Sequence, residues 1–71
     1  MLIEVTVTIQ VHAPDDATHY TGDLLDEPRW YKMKMMLCEH WFYRDPKKSQ
    51  WILYGHVAPY GLKEIPVKEV R

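Results

Sequence analysis

The sequence has a single cysteine, Cys38, so no disulfide can form within the chain. A small domain without disulfides is typical of a reducing compartment, where a lone cysteine usually serves as a small buried apolar residue. No apolar run approaches the length that crosses a bilayer, about 20 residues. The first residues carry neither a basic segment nor a continuous apolar stretch, so no signal peptide is predicted. We therefore expect a cytoplasmic protein without membrane contact.

Neither sign of charge is in clear excess. Nine lysine and arginine residues stand against ten aspartate and glutamate residues, for a formal net charge of −1. Strong non-specific binding to nucleic acid needs clustered positive charge that releases phosphate counterions, and the near balance argues against it. A DNA mimic would be strongly acidic, so the same balance argues against that class as well.

Glycine is scarce, with three in the chain, and the common catalytic motifs are missing. The sequence holds no glycine-rich phosphate loop, no Gly-x-Ser-x-Gly nucleophile turn and no His-Glu-x-x-His zinc helix. The acids between Asp15 and Glu27 lie in a turn-rich segment, where carboxylates usually cap turns. The sequence therefore predicts no catalytic residue, no cofactor site and no enzyme.

Cysteine and histidine together suggest a metal hypothesis. Cys38-Glu39-His40 and His56 would come together if the strands that carry them were paired. Structural zinc sites usually have a full set of nitrogen or sulfur ligands, with paired cysteines a few residues apart. Because the only cysteine has no such partner, the sequence predicts no metal site. The simpler interpretation is a buried thiol beside a surface acid and an edge histidine.

The first twelve residues alternate strictly in a pattern of period two, with β-branched side chains on both faces. This predicts one long strand over residues 1–12, which at about 3.4 Å per residue would span roughly 40 Å. Most strands are about half that length. We therefore expect this strand to bend, to run past its partner, or to pair with a second copy in a homodimer through residues 1–12.

The whole chain of 71 residues is predicted to form one all-β domain. Residues 13–28 are polar and predict turn and loop, with a short helical turn around residues 23–27 and a short edge strand over residues 17–20 as local alternatives. Residues 29–70 predict an aromatic-rich antiparallel meander, with residues 45–49 as a hairpin connection. We expect a small curled sheet or an open barrel. A helix over residues 30–43 is the main alternative, and the bulky aromatic side chains argue against it.

Aromatic residues are the unusual feature of the composition. The chain has three tryptophans, five tyrosines and one phenylalanine, and eight of these nine lie between Trp30 and Tyr60. A chain this short has too little interior to bury them all. Rigid aromatic side chains are favoured at binding hot spots, although cross-strand aromatic pairs also stabilise small sheets. The predicted binding residues are Trp30, Trp41, Tyr43, Trp51 and Tyr54, with Lys32 and Lys34.

The same segments carry a family resemblance. The chain resembles small proteins of tailed bacteriophages and prophages over roughly residues 13 to 66. The resemblance lies in Pro14-Asp15-Asp16-Ala17-Thr18-His19-Tyr20, Trp30-Tyr31-Lys32, Trp41-Phe42-Tyr43, Trp51 and Leu62-Lys63-Glu64-Ile65-Pro66. It implies a phage origin and action inside a bacterial host. No functional residue can be carried over, because the family has no established activity.

Three functions are compatible with these features. The leading expectation is a non-catalytic phage protein that binds a bacterial host or defence protein through exposed aromatic residues. Single-stranded nucleic-acid binding is the second, because such proteins stack bases on sheet aromatics beside lysine and arginine. The third is a minor structural or assembly component of the phage particle.

Overall fold

The computed structural model describes residues 2–5 and 8–65. Within these ranges the elements are β1 (Leu2–Glu4), β2 (Gln10–His12), β3 (His19–Asp23), β4 (Asp26–Met36), β5 (Cys38–Asp45), β6 (Gln50–Gly55) and β7 (Lys63–Glu64). The described residues form no helix, and hence none that could span a membrane. The all-β prediction is confirmed, and the helical alternative for residues 30–43 is wrong.

The N-terminal segment is a hairpin and not a single long strand. Strands β1 and β2 pair antiparallel with Ile3 opposite Val11, and the Val5 amide donates a hydrogen bond to the Ile9 carbonyl at 3.0 Å. A hairpin and one continuous strand share the same period-two alternation, so the pattern alone cannot separate them. Pairing within the chain satisfies backbone groups that a lone strand would expose. The homodimer through residues 1–12 stays a prediction.

The larger sheet has five strands in the order β6-β5-β4-β3-β7, all antiparallel. Strands β3 to β6 are sequential neighbours, which confirms the meander. Strands β6 and β7 are its two edges, so the sheet is open rather than closed into a barrel. The segment 56–62 joins these opposite edges and contains the buried Pro59. Of the predicted meander, residues 66–70 lie outside the described residues.

The segment 13–28 was predicted as turn and loop, and that prediction is wrong for much of it. It contains β3, a central strand, and the first residues of β4. Gly22, at φ +87°, lies at a bulge that interrupts the register between β3 and β4. The Asp23 carboxylate accepts a hydrogen bond from the Leu25 amide at 2.9 Å and so caps a hairpin turn. Aspartate also caps helices, which is why the sequence suggested a helical turn there.

The core lies between the N-terminal hairpin and one face of the large sheet. Ile3, Ala13, Ala17 and Ile65 form its buried centre, and the half-buried Tyr20, Trp30 and Trp51 pack against them. On the sheet's other face, Tyr31 and Trp41 are also buried. Cys38 is exposed, so its predicted role as a buried apolar residue is wrong. Its position at the first residue of β5, beside a hairpin tip, explains this exposure.

The turn between β4 and β5 contains a strained residue. Leu37 has φ +66° and its side chain is 109% exposed, so it contributes no packing. A left-handed conformation costs an L-residue about 1–2 kcal/mol, and glycine avoids this cost although it adds entropy to the unfolded chain. We expect Leu37→Gly to raise the free energy of unfolding by about 0.5–1 kcal/mol. Urea denaturation measures this change.

The matched control is Leu25→Gly. Leu25 is also an exposed turn leucine, but its φ is not positive. Glycine relieves no strain at this position and adds only flexibility. A gain in stability of equal size at both positions would contradict the strain at Leu37.

Candidate binding groove

An open groove with a volume of about 1020 Å³ lies at one end of the large sheet. Three stretches of chain line it: residues 12–14 at the end of β2, residues 27–31 in β4, and the β5–β6 hairpin through residues 43–46, Ser49 and Tyr54. The groove therefore depends on the N-terminal hairpin being folded against the sheet. Its walls include part of the predicted binding set.

Tyr43 and Tyr54 are the accessible aromatic residues of the groove, with 38% and 50% of their surface exposed. Below them Tyr31 is buried and pairs with Tyr43 across β4 and β5. The ring centroids of Tyr31 and Tyr54 are 6.0 Å apart at a tilted angle of 56°. Both exposed rings are thus held on paired strands, β5 and β6, above the buried Tyr31 ring. Such pre-organised side chains lose little entropy when a ligand binds.

Prolines contribute three positions along the groove: Pro14, Pro28 and Pro46. The proline ring fixes φ near −65°, so these segments have less conformational freedom to lose on binding. Pro28 lies within β4 and Pro46 follows β5. The backbone around the tyrosines is therefore stiffened on both neighbouring segments.

The charged side chains of the groove balance each other. Arg29 and Arg44 line it together with Glu27 and Asp45. The Arg44 guanidinium also lies over the Trp51 ring, 5.5 Å from its centroid. A groove with two positive and two negative side chains has no net attraction for a polyanion, but it offers both hydrogen-bond donors and acceptors.

Asp45 organises the hairpin between β5 and β6. Its carboxylate oxygen Oδ1 accepts hydrogen bonds from the backbone amides of Lys47 at 2.8 Å and Lys48 at 3.2 Å. The Ser49 amide donates a hydrogen bond to the Asp45 carbonyl at 2.9 Å, which closes the turn. The two amide hydrogen bonds hold the pKa of the Asp45 carboxyl below its usual range, since they favour the charged form. The predicted hairpin connection over residues 45–49 is confirmed.

Asp45→Asn should flatten the loss of stability in acid. The folded pKa of Asp45 lies below the unfolded value, so the carboxylate stabilises the fold above the unfolded pKa, about 4. That contribution is lost as the pH falls through the folded pKa. Urea denaturation at pH 7 and in acid should show a smaller pH-dependent change for the variant. The control is Asp26→Asn, at the hairpin between β3 and β4. An unchanged pH dependence in Asp45→Asn would contradict the stabilising role of the Asp45 carboxylate.

Trp41 does not belong to the accessible surface, so its predicted role as an exposed binding residue is wrong. It is 5% exposed, and the His19 ring packs edge-on against it with centroids 5.1 Å apart. Its indole N–H donates to Glu39 Oε2 at 3.2 Å, which satisfies the polar atom that burial would otherwise isolate. Trp41 is therefore a core residue of the sheet.

The remaining predicted residues form a second surface. Trp51 is half-buried against the core, and the Lys32 ammonium lies between its ring and that of Phe42, 5.1 Å and 5.4 Å from the two centroids. Lys34 is exposed further along β4. Trp30 packs on the core and also lines the groove. By strand alternation these residues face away from Tyr43, so the predicted set divides between the two faces of the sheet.

Several groove residues were missed from the sequence, notably Glu27 and Pro28. The segment around them was assigned to a loop, which hid their position on β4 beside Trp30. Their adjacency to the aromatic segment was the available signal.

A separate cluster of Cys38, His40 and His56 lies at the opposite end of the β4–β5 hairpin. It does not contribute to the groove.

Comparisons with protein-family models, with curated proteins and with solved structures gave no match. The resemblance to phage proteins stays a prediction. Function is therefore inferred from the geometry of the groove.

Proposed function

We propose that this chain is a small non-catalytic binding module that holds an extended segment of a partner protein in the groove. The observation that carries the proposal is the pair of exposed tyrosines, Tyr43 and Tyr54, fixed on paired strands above the buried Tyr31. Tyrosine supplies a large contact area and a polar hydroxyl at low entropic cost, and it is enriched at binding hot spots. Following the sequence resemblance, the proposed partner is a host or defence protein in the bacterial cytoplasm.

An extended segment fits the site because the groove lies beside a free sheet edge. Strand β6 pairs with β5 on one side and is the outer strand of the sheet. Its outward backbone groups have no partner strand among the described residues, and such edges accept an added strand from a partner. Tyr54 is on this strand. Backbone pairing along β6 would therefore place the partner's side chains beside the exposed tyrosines.

The charge distribution favours a protein over a nucleic acid. Single-stranded nucleic acid is held by positively charged grooves with free aromatic faces. Here Arg29 and Arg44 are offset by Glu27 and Asp45. The Trp51 ring, which packs on the core, is already covered by Lys32 and by the same Arg44. Neither surface combines net positive charge with an uncovered ring.

Affinity capture tests the proposal. The tagged protein is incubated with bacterial lysate, with and without nuclease, and bound material is identified by mass spectrometry. We expect one protein at near-stoichiometric amount that survives nuclease treatment and moderate salt. Recovery that collapses with nuclease would indicate nucleic-acid binding. Copurification with phage particles and no host protein would indicate a structural role instead.

A further inference from the structure

Three metal-ligating side chains converge at the end of the β4–β5 hairpin that lies away from the groove. Cys38, His40 and His56 each present a ligand atom within 4.8 Å of the other two. The rings of His40 and His56 meet edge-on with centroids 4.6 Å apart. Cys38 and His56 are exposed and His40 is half-buried, so an ion in solution can reach all three.

The local strand geometry explains the convergence. Cys38 and His40 are two residues apart on β5, so their side chains lie on the same face. The register between β5 and β6 shifts at Trp41 and Phe42, so that Trp41 pairs with Gly55. Because the strands are antiparallel, the residue before Trp41, His40, then lies opposite the residue after Gly55, His56. Without this bulge the chain would place Gly55 there, and bulges commonly re-aim a side chain in this way.

His40 is held in an orientation suited to a metal ligand. Its Nδ1 donates a hydrogen bond to the Cys38 carbonyl at 2.9 Å. The ring tautomer that donates from Nδ1 carries its lone pair on Nε2. Histidine ligands of metal ions almost always donate their other ring N–H to a carbonyl or carboxylate in this manner. Nε2 of His40 is therefore the ligand atom.

His56 faces the thiol. Its Nδ1 lies 3.7 Å from Cys38 Sγ and 3.1 Å from the Glu39 carbonyl oxygen. Tetrahedral zinc with Zn–S of about 2.3 Å and Zn–N of about 2.0 Å separates sulfur and nitrogen ligands by about 3.5 Å. The observed sulfur–nitrogen distance is close to this value. Coordination through Nδ1 moves the ring proton to Nε2 and gives up the contact with the Glu39 carbonyl.

We propose that Cys38, His40 and His56 form a zinc site with a water molecule as the fourth ligand. A thiolate with two imidazoles suits zinc and excludes calcium and magnesium, which prefer oxygen ligands. The Zn–S bond forms as the thiol proton passes to water. The ion would join the start of β5 to the end of β6, where the chain leaves the sheet. This site is independent of the proposed protein-binding function.

Cobalt titration of the full reduced chain tests the site, because Co²⁺ replaces Zn²⁺ and reports on its ligands by absorption. We expect a thiolate-to-cobalt charge-transfer band together with tetrahedral d–d bands, both removed by added Zn²⁺. Cys38→Ser should remove the charge-transfer band. His40→Asn and His56→Asn should each weaken binding at least tenfold. His12→Asn, which changes an exposed histidine outside the cluster, should leave the spectrum and affinity unchanged.

A second measurement separates ligand loss from misfolding. Zn²⁺ should slow alkylation of Cys38 by iodoacetamide at least tenfold in the wild-type chain, and His56→Asn should lose this protection while its circular dichroism stays that of a folded sheet. The proposal is overturned if the wild-type chain shows no thiolate band. It is also overturned if the band survives unchanged in both histidine variants, or disappears in His12→Asn.

Discussion

Partner capture should fall about thirtyfold when either Tyr43 or Tyr54 is replaced by alanine, and it should be lost when both are replaced. A hot-spot aromatic residue contributes about 2 kcal/mol or more to binding, and 2 kcal/mol corresponds to this factor. Both side chains are partly exposed, at 38% and 50%, so truncation removes some packing on Tyr31 but should leave the sheet folded. The amount of captured partner at fixed bait concentration measures the effect, with circular dichroism to confirm that the variants fold.

Tyr60→Ala is the matched control for these variants. Tyr60 is 102% exposed and is not among the groove residues. Its removal changes the exposed aromatic surface without touching the groove, so capture should be unchanged. If Tyr60→Ala reduced capture as much as the groove variants, binding would depend on general surface hydrophobicity and not on this site.

Trp41→Ala should remove about half of the protein's free energy of unfolding. Truncating a buried tryptophan costs about 3–5 kcal/mol through lost transfer energy and the cavity that remains. A domain of this size is stable by only roughly 4–10 kcal/mol. The substitution also removes the ring against which His19 packs and the indole N–H that donates a hydrogen bond to Glu39. Urea denaturation followed by tryptophan fluorescence and circular dichroism measures the loss.

Two further variants make this test specific. Trp41→Phe retains an aromatic ring and should lose markedly less stability than the alanine variant. Tyr43→Ala, on the same strand and face, should lose less stability than Trp41→Ala because Tyr43 is 38% exposed and Trp41 is 5% exposed. A Trp41→Ala protein of unchanged stability that had lost partner capture would show instead that Trp41 is an interface residue.

The contrast between Trp41 and Tyr43 shows what local sequence can and cannot predict. Alternation correctly placed the strands of the meander and the hairpin connection at residues 45–49. Trp41 and Tyr43 have the same parity on β5, however, and therefore the same face. Trp41 is buried because His19, which is distant in sequence, packs on it. Burial of this kind depends on tertiary contacts that periodicity does not contain.

The N-terminal half departs further from the sequence prediction for a related reason. Strict alternation over residues 1–12 is compatible with a hairpin as well as with a long strand, and only the position of the reversal distinguishes them. Of β3, the sequence indicated only a short edge strand over residues 17–20, because the strand is short and polar and carries Gly22 at a bulge. Its hydrogen bonds to β4 and β7 make it a strand, and both partners follow it in the chain.

The cysteine–histidine cluster was only half accessible from sequence. Its members were identified as residues that strand pairing would bring together. The two-residue spacing of Cys38 and His40 is visible in the chain, whereas the bulge that sets His56 opposite His40 is not. A bulge depends on the register of a particular strand pair. The absence of a second cysteine therefore led the sequence interpretation away from this cluster as a zinc site.

Site-specific photocrosslinking tests the central claim, that the groove binds a partner protein, most directly. A benzophenone amino acid is placed at Tyr43 in one protein and at Tyr60 in another, and both are irradiated in nuclease-treated bacterial lysate. We expect one discrete protein adduct from position 43, competed by unlabelled wild-type chain but not by the chain lacking both groove tyrosines, and none from position 60. No adduct from position 43, or the same adducts from both positions, would contradict a protein-binding groove.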